Sequence, residues 1–464
     1  MIHARLLIAV LFVIPIAVQA QLRLPALFGD NMVFQRNTQA PIWGWAYPGA
    51  EVSILASWNN EEVKVKASSM GRWSATLRTP DAGGPHTVTV KSFSELTLNN
   101  VMIGEVWICS GQSNMEWSMT ASADGREDIA SANVPGVRLF HVPKAGADYP
   151  QTMGEGTWKV TTPESVAGFS AVGYYFGRRL HEELDVPIGL INVSWGGTPA
   201  EVWIPESRVT KNSRLVEANA KQRSDPRWPS QPGVVYNAMI NPLVPVAIAG
   251  AIWYQGEGNT AAPLVYKDLM QELIEGWREA FRKDFPFYYV QIAPFTYGDL
   301  EVGTLIREQQ TKLLDVPKTG MVVISDHVDN VKDIHPRYKK PVGERLANLA
   351  LSDTYGKTDL IAKSPVYKRM AVEKNRIRIW FDNVPTGLVS RGKELTEFQI
   401  AGEDKKFVPA RARIDGNTVV VSSKLVKNPV AVRFGWPNHS IPNLFSAEGL
   451  PVSCFRTDQW DVLP

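Results

Sequence analysis

Several short stretches carry residues whose types can do chemistry together. Gly111-Gln112-Ser113-Asn114-Met115 offers a serine hydroxyl directly after an apolar run, and Ser194-Trp195-Gly196-Gly197-Thr198 offers paired glycines. Gln255-Gly256-Glu257-Gly258-Asn259 offers a carboxamide among glycines. Asp326-His327-Val328-Asp329 and Asp333-Ile334-His335-Pro336 offer histidine with carboxylates. These are the parts of acyl transfer. A serine attacks a carbonyl, a histidine moves the proton to the leaving group, and a carboxylate fixes the histidine tautomer. Backbone N–H groups and an amide side chain hold the oxyanion, and a glycine lets an N–H approach closely because no Cβ intervenes. Each stretch alone has a plainer reading. Ser113 is then a helix N-cap, Gly196-Gly197 a tight turn, Gln255 a loop amide and His335 a helix-entry residue.

The elements that must position these residues shift the balance. Apolar runs at Val101–Cys109, Val137–Val142, Ile188–Val193, Gly250–Tyr254, Phe287–Ile292 and Met321–Ser325 read as buried strands. Between them, Val166, Phe169, Gly173, Phe176, Leu180 and Leu184 recur at helical steps, as do Leu269, Leu273, Trp277 and Phe281. Further helices are expected over Thr304–Leu314 and Val342–Ala350. This alternation predicts an α/β fold, a parallel sheet with helices on both faces. Ligands bind such a sheet outside the carboxyl ends of its strands. Ser113, the glycine pair, Gln255 and the Asp/His segment each follow a strand, so four loops at one edge agree. Ser113 also stands where a helix begins, beside N–H groups that favour negative charge.

The chain of 464 residues is too long for one ordinary core. Short, partly alternating segments between turn clusters predict a β domain over 21–100, an α/β domain over 101–358 and a second β domain over 359–464, both β domains sandwich-like. Residues 1–20 read as a signal peptide, with Arg5, the apolar run Leu6–Ala17 and a small-residue site at Val18-Gln19-Ala20. A secreted or periplasmic protein follows from it. No later stretch is long and apolar enough to cross a bilayer. A formal charge of +2 argues against nucleic acid or an anionic membrane as the main partner. Two cysteines, Cys109 and Cys454, do not make a disulfide framework, and Cys109 is expected as a core thiol. No Cys/His cluster has zinc spacing, so no metal or cofactor is expected.

The α/β-hydrolase elbow G-x-S-x-G requires a second glycine where Met115 stands. A serine after the first strand and a histidine after the last resembles the SGNH (GDSL-like) hydrolases, whose fold is flavodoxin-like and three-layered. More narrowly, the Gly111–Met115, Ser194–Thr198, Trp253–Glu257 and Asp333–Pro336 motifs resemble the sialate O-acetylesterase family across roughly 101–355. The resemblance implies a cofactor-free esterase acting on acetylated carbohydrate. Ser113 would be the nucleophile and His335 the general base and acid. The Ser113 N–H, the Gly196 or Gly197 N–H and the Gln255 side chain would line the oxyanion hole.

Two departures stand out. The superfamily has Asp three residues before the histidine; that position is Lys332 here, and Asp333 is two before. The orienting acid is therefore Asp333, Asp329 or Asp326, with Glu257 or a backbone carbonyl as alternatives. The oxyanion amide is Gln where the superfamily has Asn. Glu257, Asn259, Glu201 and Trp203 are weaker candidates for orienting Gln255 or contacting sugar. Trp117, Trp195, Trp203 and Trp253 lie on or beside the cleft loops, where an indole either stacks on a sugar ring or simply packs. The expected function is a carbohydrate O-acetylesterase acting on sialate. Acetylated plant polysaccharide is the alternative substrate. A non-catalytic glycan-binding protein and a serine peptidase are the rival classes.

Overall fold

Strand β1, Glu95–Gly111, changes character along its length. Its first half alternates between exposed and buried positions, whereas Ile103 to Gly111 are all buried. Alternation suits a strand with one solvated face, and continuous burial one covered on both. The computed structural model, which describes residues 22–462 apart from 124 and 299, shows why. The first half of β1 pairs with Val33–Gln35 and Gly83–Lys91, and the second half joins a central sheet. The expected boundary near residue 100 thus falls inside one unbroken strand. The expected signal peptide lies outside the described residues.

The other strands of the central sheet are β2 (Val134–His141), β3 (Trp158–Thr161), β4 (Ile188–Ser194), β5 (Gly250–Tyr254), β6 (Phe287–Val290) and β7 (Thr319–Val322). Their order is β7-β6-β5-β1-β4-β2-β3. All neighbours run parallel except β3, which is antiparallel to β2. A flavodoxin-like order sets the second strand beside the first. Here β4-β1-β5-β6-β7 follows that order, with β4 as the second strand of the five, while β2 and the antiparallel β3 extend the sheet beyond β4. The chain leaves β1 for one side and later returns to β5 on the other. That reversal opens a crevice at the carboxyl end of β1.

Helices α1 (Ser113–Glu116), α2 (Ala171–Leu184), α3 (Tyr266–Phe281), α4 (Val302–Lys312) and α5 (Lys339–Asp353) follow five of these strands. The apolar series expected from Val166 breaks around Gly168, and α2 restarts where Ser170 Oγ accepts the Gly173 N–H at 3.0 Å. Helix α3 turns Leu269, Leu273, Ile274 and Trp277 onto the sheet. Each such side chain stabilises the layer by about 1.5–3 kcal/mol. Two apolar cores result, one per face of the sheet.

Beyond α5 the described residues are all strand and loop. Two four-stranded sheets enclose Ile379, Val421, Ile400 and Phe434. This region is tied to the α/β part by ion pairs and hydrogen bonds. Arg456 meets Glu308 at 3.0 Å, and Gln291 Nε2 donates to Ser453 Oγ at 2.9 Å. Cys109 and Cys454 are both free and buried.

Candidate active site

Strand β1 ends at Gly111 with φ +141°, where a Cβ would lie 2.2 Å from the Tyr254 carbonyl of β5. Only glycine lets the two strands run this close and then turn. Gln112 caps α1, so Ser113 is the first helical residue and not the cap. The N–H groups of Ser113 and Asn114 have no hydrogen-bond partner among the described residues. Such unpaired donors in a first turn attract negative charge.

His335 Nε2 lies 2.9 Å from Ser113 Oγ. Three contacts hold the histidine. Its backbone N–H donates to Asp333 Oδ1 at 2.9 Å, its ring stacks on Trp117 at 4.9 Å and 21°, and Nδ1 lies 3.7 Å from Asp333 Oδ1. The last distance is too long for a hydrogen bond and short enough for charge attraction. The other two aspartates are engaged elsewhere. Asp326 takes a two-pronged Arg345 guanidinium at 2.7 and 2.8 Å, and Asp329 meets Arg337 at 3.4 Å. Burial, reinforced by the Lys339 charge, lowers the His335 pKa, while Asp333 opposes the shift. A neutral imidazole beside the hydroxyl is the state that accepts a proton.

The expected oxyanion donors differ in their surroundings. The Gly196 N–H donates to Glu116 Oε2 at 2.6 Å, and Glu116 Oε1 meets Lys144 at 2.5 Å. Gly197, at φ +83°, keeps an N–H with no partner among the described residues. A Cβ there would lie 2.3 Å from the Trp228 ring. Gln255 is fully buried and its amide is spent. Nε2 donates to Asn259 Oδ1 at 2.7 Å and to the Thr198 carbonyl at 3.3 Å, while Oε1 accepts from Tyr266 at 2.8 Å. The expected donor therefore braces the loop from inside. Gln112 meets the same loop, its Oε1 accepting the Gly258 N–H at 3.0 Å.

The weaker candidates are interior residues. Asn259 Nδ2 donates to Glu201 Oε2 at 2.8 Å, and Gln222 donates to Glu201 Oε1 at 3.0 Å. Burial raises the Glu201 pKa against these bonds. Asn259 does orient Gln255, but none of this set is exposed enough to touch sugar. Glu257, also buried, accepts from Asn114 at 2.7 Å. Trp203 and Trp253 are core residues packed edge-to-face, and Trp277 meets Trp253 edge-on while its Nε1 donates to the Trp203 carbonyl at 2.9 Å. Trp195 is half-buried.

Sequence reasoning missed Glu116, Lys144, Trp228 and Lys339. Glu116 sits one turn past the serine, so its side of the short helix was legible. Trp228, half-buried on the glycine loop beneath Arg227 at 4.5 Å, arrives from a loop with no periodic signal.

The comparisons with known proteins agree with this layout. A family model described as carbohydrate esterase, sialic acid-specific acetylesterase, matches residues 103–352. The sialate O-acetylesterase of Homo sapiens is 31% identical over 391 residues, covering 75% of this chain and 74% of its own. That of Mus musculus is 28% identical over 485 residues, with 89% of each covered. A crystal structure of a carbohydrate acetylesterase from Xanthomonas citri is 38% identical and superposes with a TM-score of 0.88, covering 95% of this chain and all of the other.

Proposed function

The chain belongs to the carbohydrate esterases described as sialic acid-specific acetylesterases and is an acetylesterase; on that premise we propose that it works through Ser113. Ser113 Oγ attacks the acetyl carbonyl as His335 Nε2 takes its proton. The tetrahedral oxyanion rests on the free Ser113 and Gly197 N–H groups. His335 then protonates the sugar oxygen as its bond to the acetyl carbon breaks. Water, deprotonated by His335, attacks the acetyl-enzyme, and His335 returns the proton to Ser113 Oγ as acetate leaves. Asp333 stabilises the imidazolium that forms in each half-reaction. The observation that carries this reading is the 2.9 Å contact between Ser113 Oγ and His335 Nε2 at a helix start with unpaired N–H groups.

The substrate is an O-acetylated carbohydrate, sialate by family precedent. A neutral acetylated polysaccharide is the second reading. The Glu116–Lys144 pair at the Gly196 N–H favours it, because the two charges offset each other and leave no net positive charge there to draw in a sialate carboxylate. The protein acts outside the cytoplasm if residues 1–20 are removed as a signal peptide. Ser113→Ala and His335→Ala should each abolish acetate release from a chromogenic acetyl ester. Full activity in either variant would end the assignment. A panel of acetylated sialates and plant glycans separates the two substrate readings.

A further inference from the structure

Beneath the Ser113–His335 pair lies a buried polar cluster that the proposed reaction does not use. Lys339, the first residue of α5, is fully buried. Its ammonium donates to Asn114 Oδ1 at 2.6 Å and sits 5.6 Å from the Trp117 ring centre and 5.3 Å from that of Tyr254. Asn114 Nδ2 donates onward to Glu257 Oε1 at 2.7 Å and to the Ile334 carbonyl at 3.1 Å. One carboxamide thus joins the serine turn, the loop after β5 and the residue before His335. Glu257 Oε2, Tyr254 Oη and Trp117 Nε1 are buried without hydrogen-bond partners among the described residues.

Stability does not explain this arrangement. A buried ammonium loses its hydration, and a cation at a helix N-terminus opposes the helix dipole. Lys339 has three donors, of which the structure engages one. Buried groups left this poorly satisfied call for a functional reason.

We propose that Lys339 is a positioning residue for the Ser113–His335 pair, acting through Asn114 on the serine turn and through the Trp117 indole on the imidazole. The Asn114 link fixes where Ser113 sits relative to Ile334 and so to His335. Trp117 contacts both the ammonium and the His335 ring. The charge also disfavours protonation of His335 and keeps its base form available further into acid. The titratable groups facing Lys339 are Glu257 and Tyr254 from β5 and its loop, and Asp333 and His335 from the approach to α5. Burial pulls the Lys339 pKa down to about 7, so the charge is present on the acid side of neutrality, where it acts on His335.

This rests on the reading of Ser113 and His335 as the reacting pair. The test is kcat and KM against pH on a chromogenic acetyl ester for wild type, Lys339→Met and Asn114→Ala. Lys339→Met should lower kcat at least tenfold, leave KM within threefold, and move the acid limb upward by about one pH unit, since the Lys339 charge that lowers the His335 pKa is gone. Asn114→Ala should lower kcat similarly with the limb unmoved, since the charge remains. A purely structural role moves neither limb. Should Lys339→Met fail to fold, Lys339→Gln, which keeps a donor for Asn114, carries the same limb test. A wild-type profile without a histidine-like acid limb would overturn the pairing itself. A limb present in wild type and unmoved in folded Lys339 variants would overturn the role of Lys339.

Discussion

Replacing Asp333 by Asn isolates what a carboxylate behind His335 contributes. The substitution retains an oxygen that accepts the His335 backbone N–H, so the turn survives and only the charge goes. At 3.7 Å from Nδ1, a unit charge stabilises the imidazolium by about 1 kcal/mol in bulk water and about 4.5 kcal/mol at an effective dielectric of ~20. The Asp333 side chain is 45% exposed and that of His335 28%. Solvent therefore screens the pair, and the working value is about 1–2 kcal/mol. That predicts a fall in kcat/KM of about 5–30-fold. Asp333 raises the His335 pKa, so its loss should also shift the acid limb to lower pH. The assay is initial-rate hydrolysis of a chromogenic acetyl ester from pH 4 to pH 9. A loss of about 10⁴-fold would mean a buried, tautomer-fixing acid and refute the screened geometry. So would an unchanged enzyme paired with a large loss in Asp329→Asn or Asp326→Asn.

Three further outcomes are expected. Gln255→Ala should destabilise the fold by about 2–4 kcal/mol in denaturant melts, since it leaves a cavity and unpaired partners; the folded variant should lose far less than the 10²–10³-fold that removing an oxyanion donor costs. Glu116→Gln keeps an acceptor for the Gly196 N–H but removes the counter-charge of Lys144, so kcat/KM on acetylated sialate should rise about three- to tenfold relative to a neutral acetyl sugar; an unchanged ratio would remove the argument for a neutral substrate. For Asp326, burial alone would raise the carboxyl pKa, but the Arg345 guanidinium outweighs it and leaves the value lowered. A lowered folded-state pKa means stability that is present above the ordinary value of 3.8 and lost as pH falls below it. Asp326→Asn should accordingly lower Tm at pH 7, with the difference from wild type shrinking toward pH 3, and leave kcat/KM within about threefold.

Much of the α/β region was legible because its strands are continuous apolar runs. Gly250–Tyr254 has the expected bounds. The serine and histidine were legible because each follows a strand whose end faces one crevice. Periodicity carries no information on strand order, so the place of β2 and β3 outside β4 was invisible. Nor does it say whether a loop amide turns outward or inward. Gln255 turned inward because Asn259, Thr198 and Tyr266 together satisfy every polar atom of its carboxamide. Asn114 and Lys339 were in plain sight, one beside the serine and one four residues past the histidine. Their link across 225 positions depends on two loops meeting, which no local pattern encodes.

The central claim, an acetyl group carried by Ser113, is open to direct measurement. Enzyme mixed with a chromogenic acetyl ester is acid-quenched within the first turnover, digested and mapped by mass spectrometry. An acetyl group should appear on the peptide bearing Ser113, be lost in a chase without substrate and be absent from Ser113→Ala. Turnover with no acetylated peptide, or acetyl carried by another residue with the same kinetics, would contradict it.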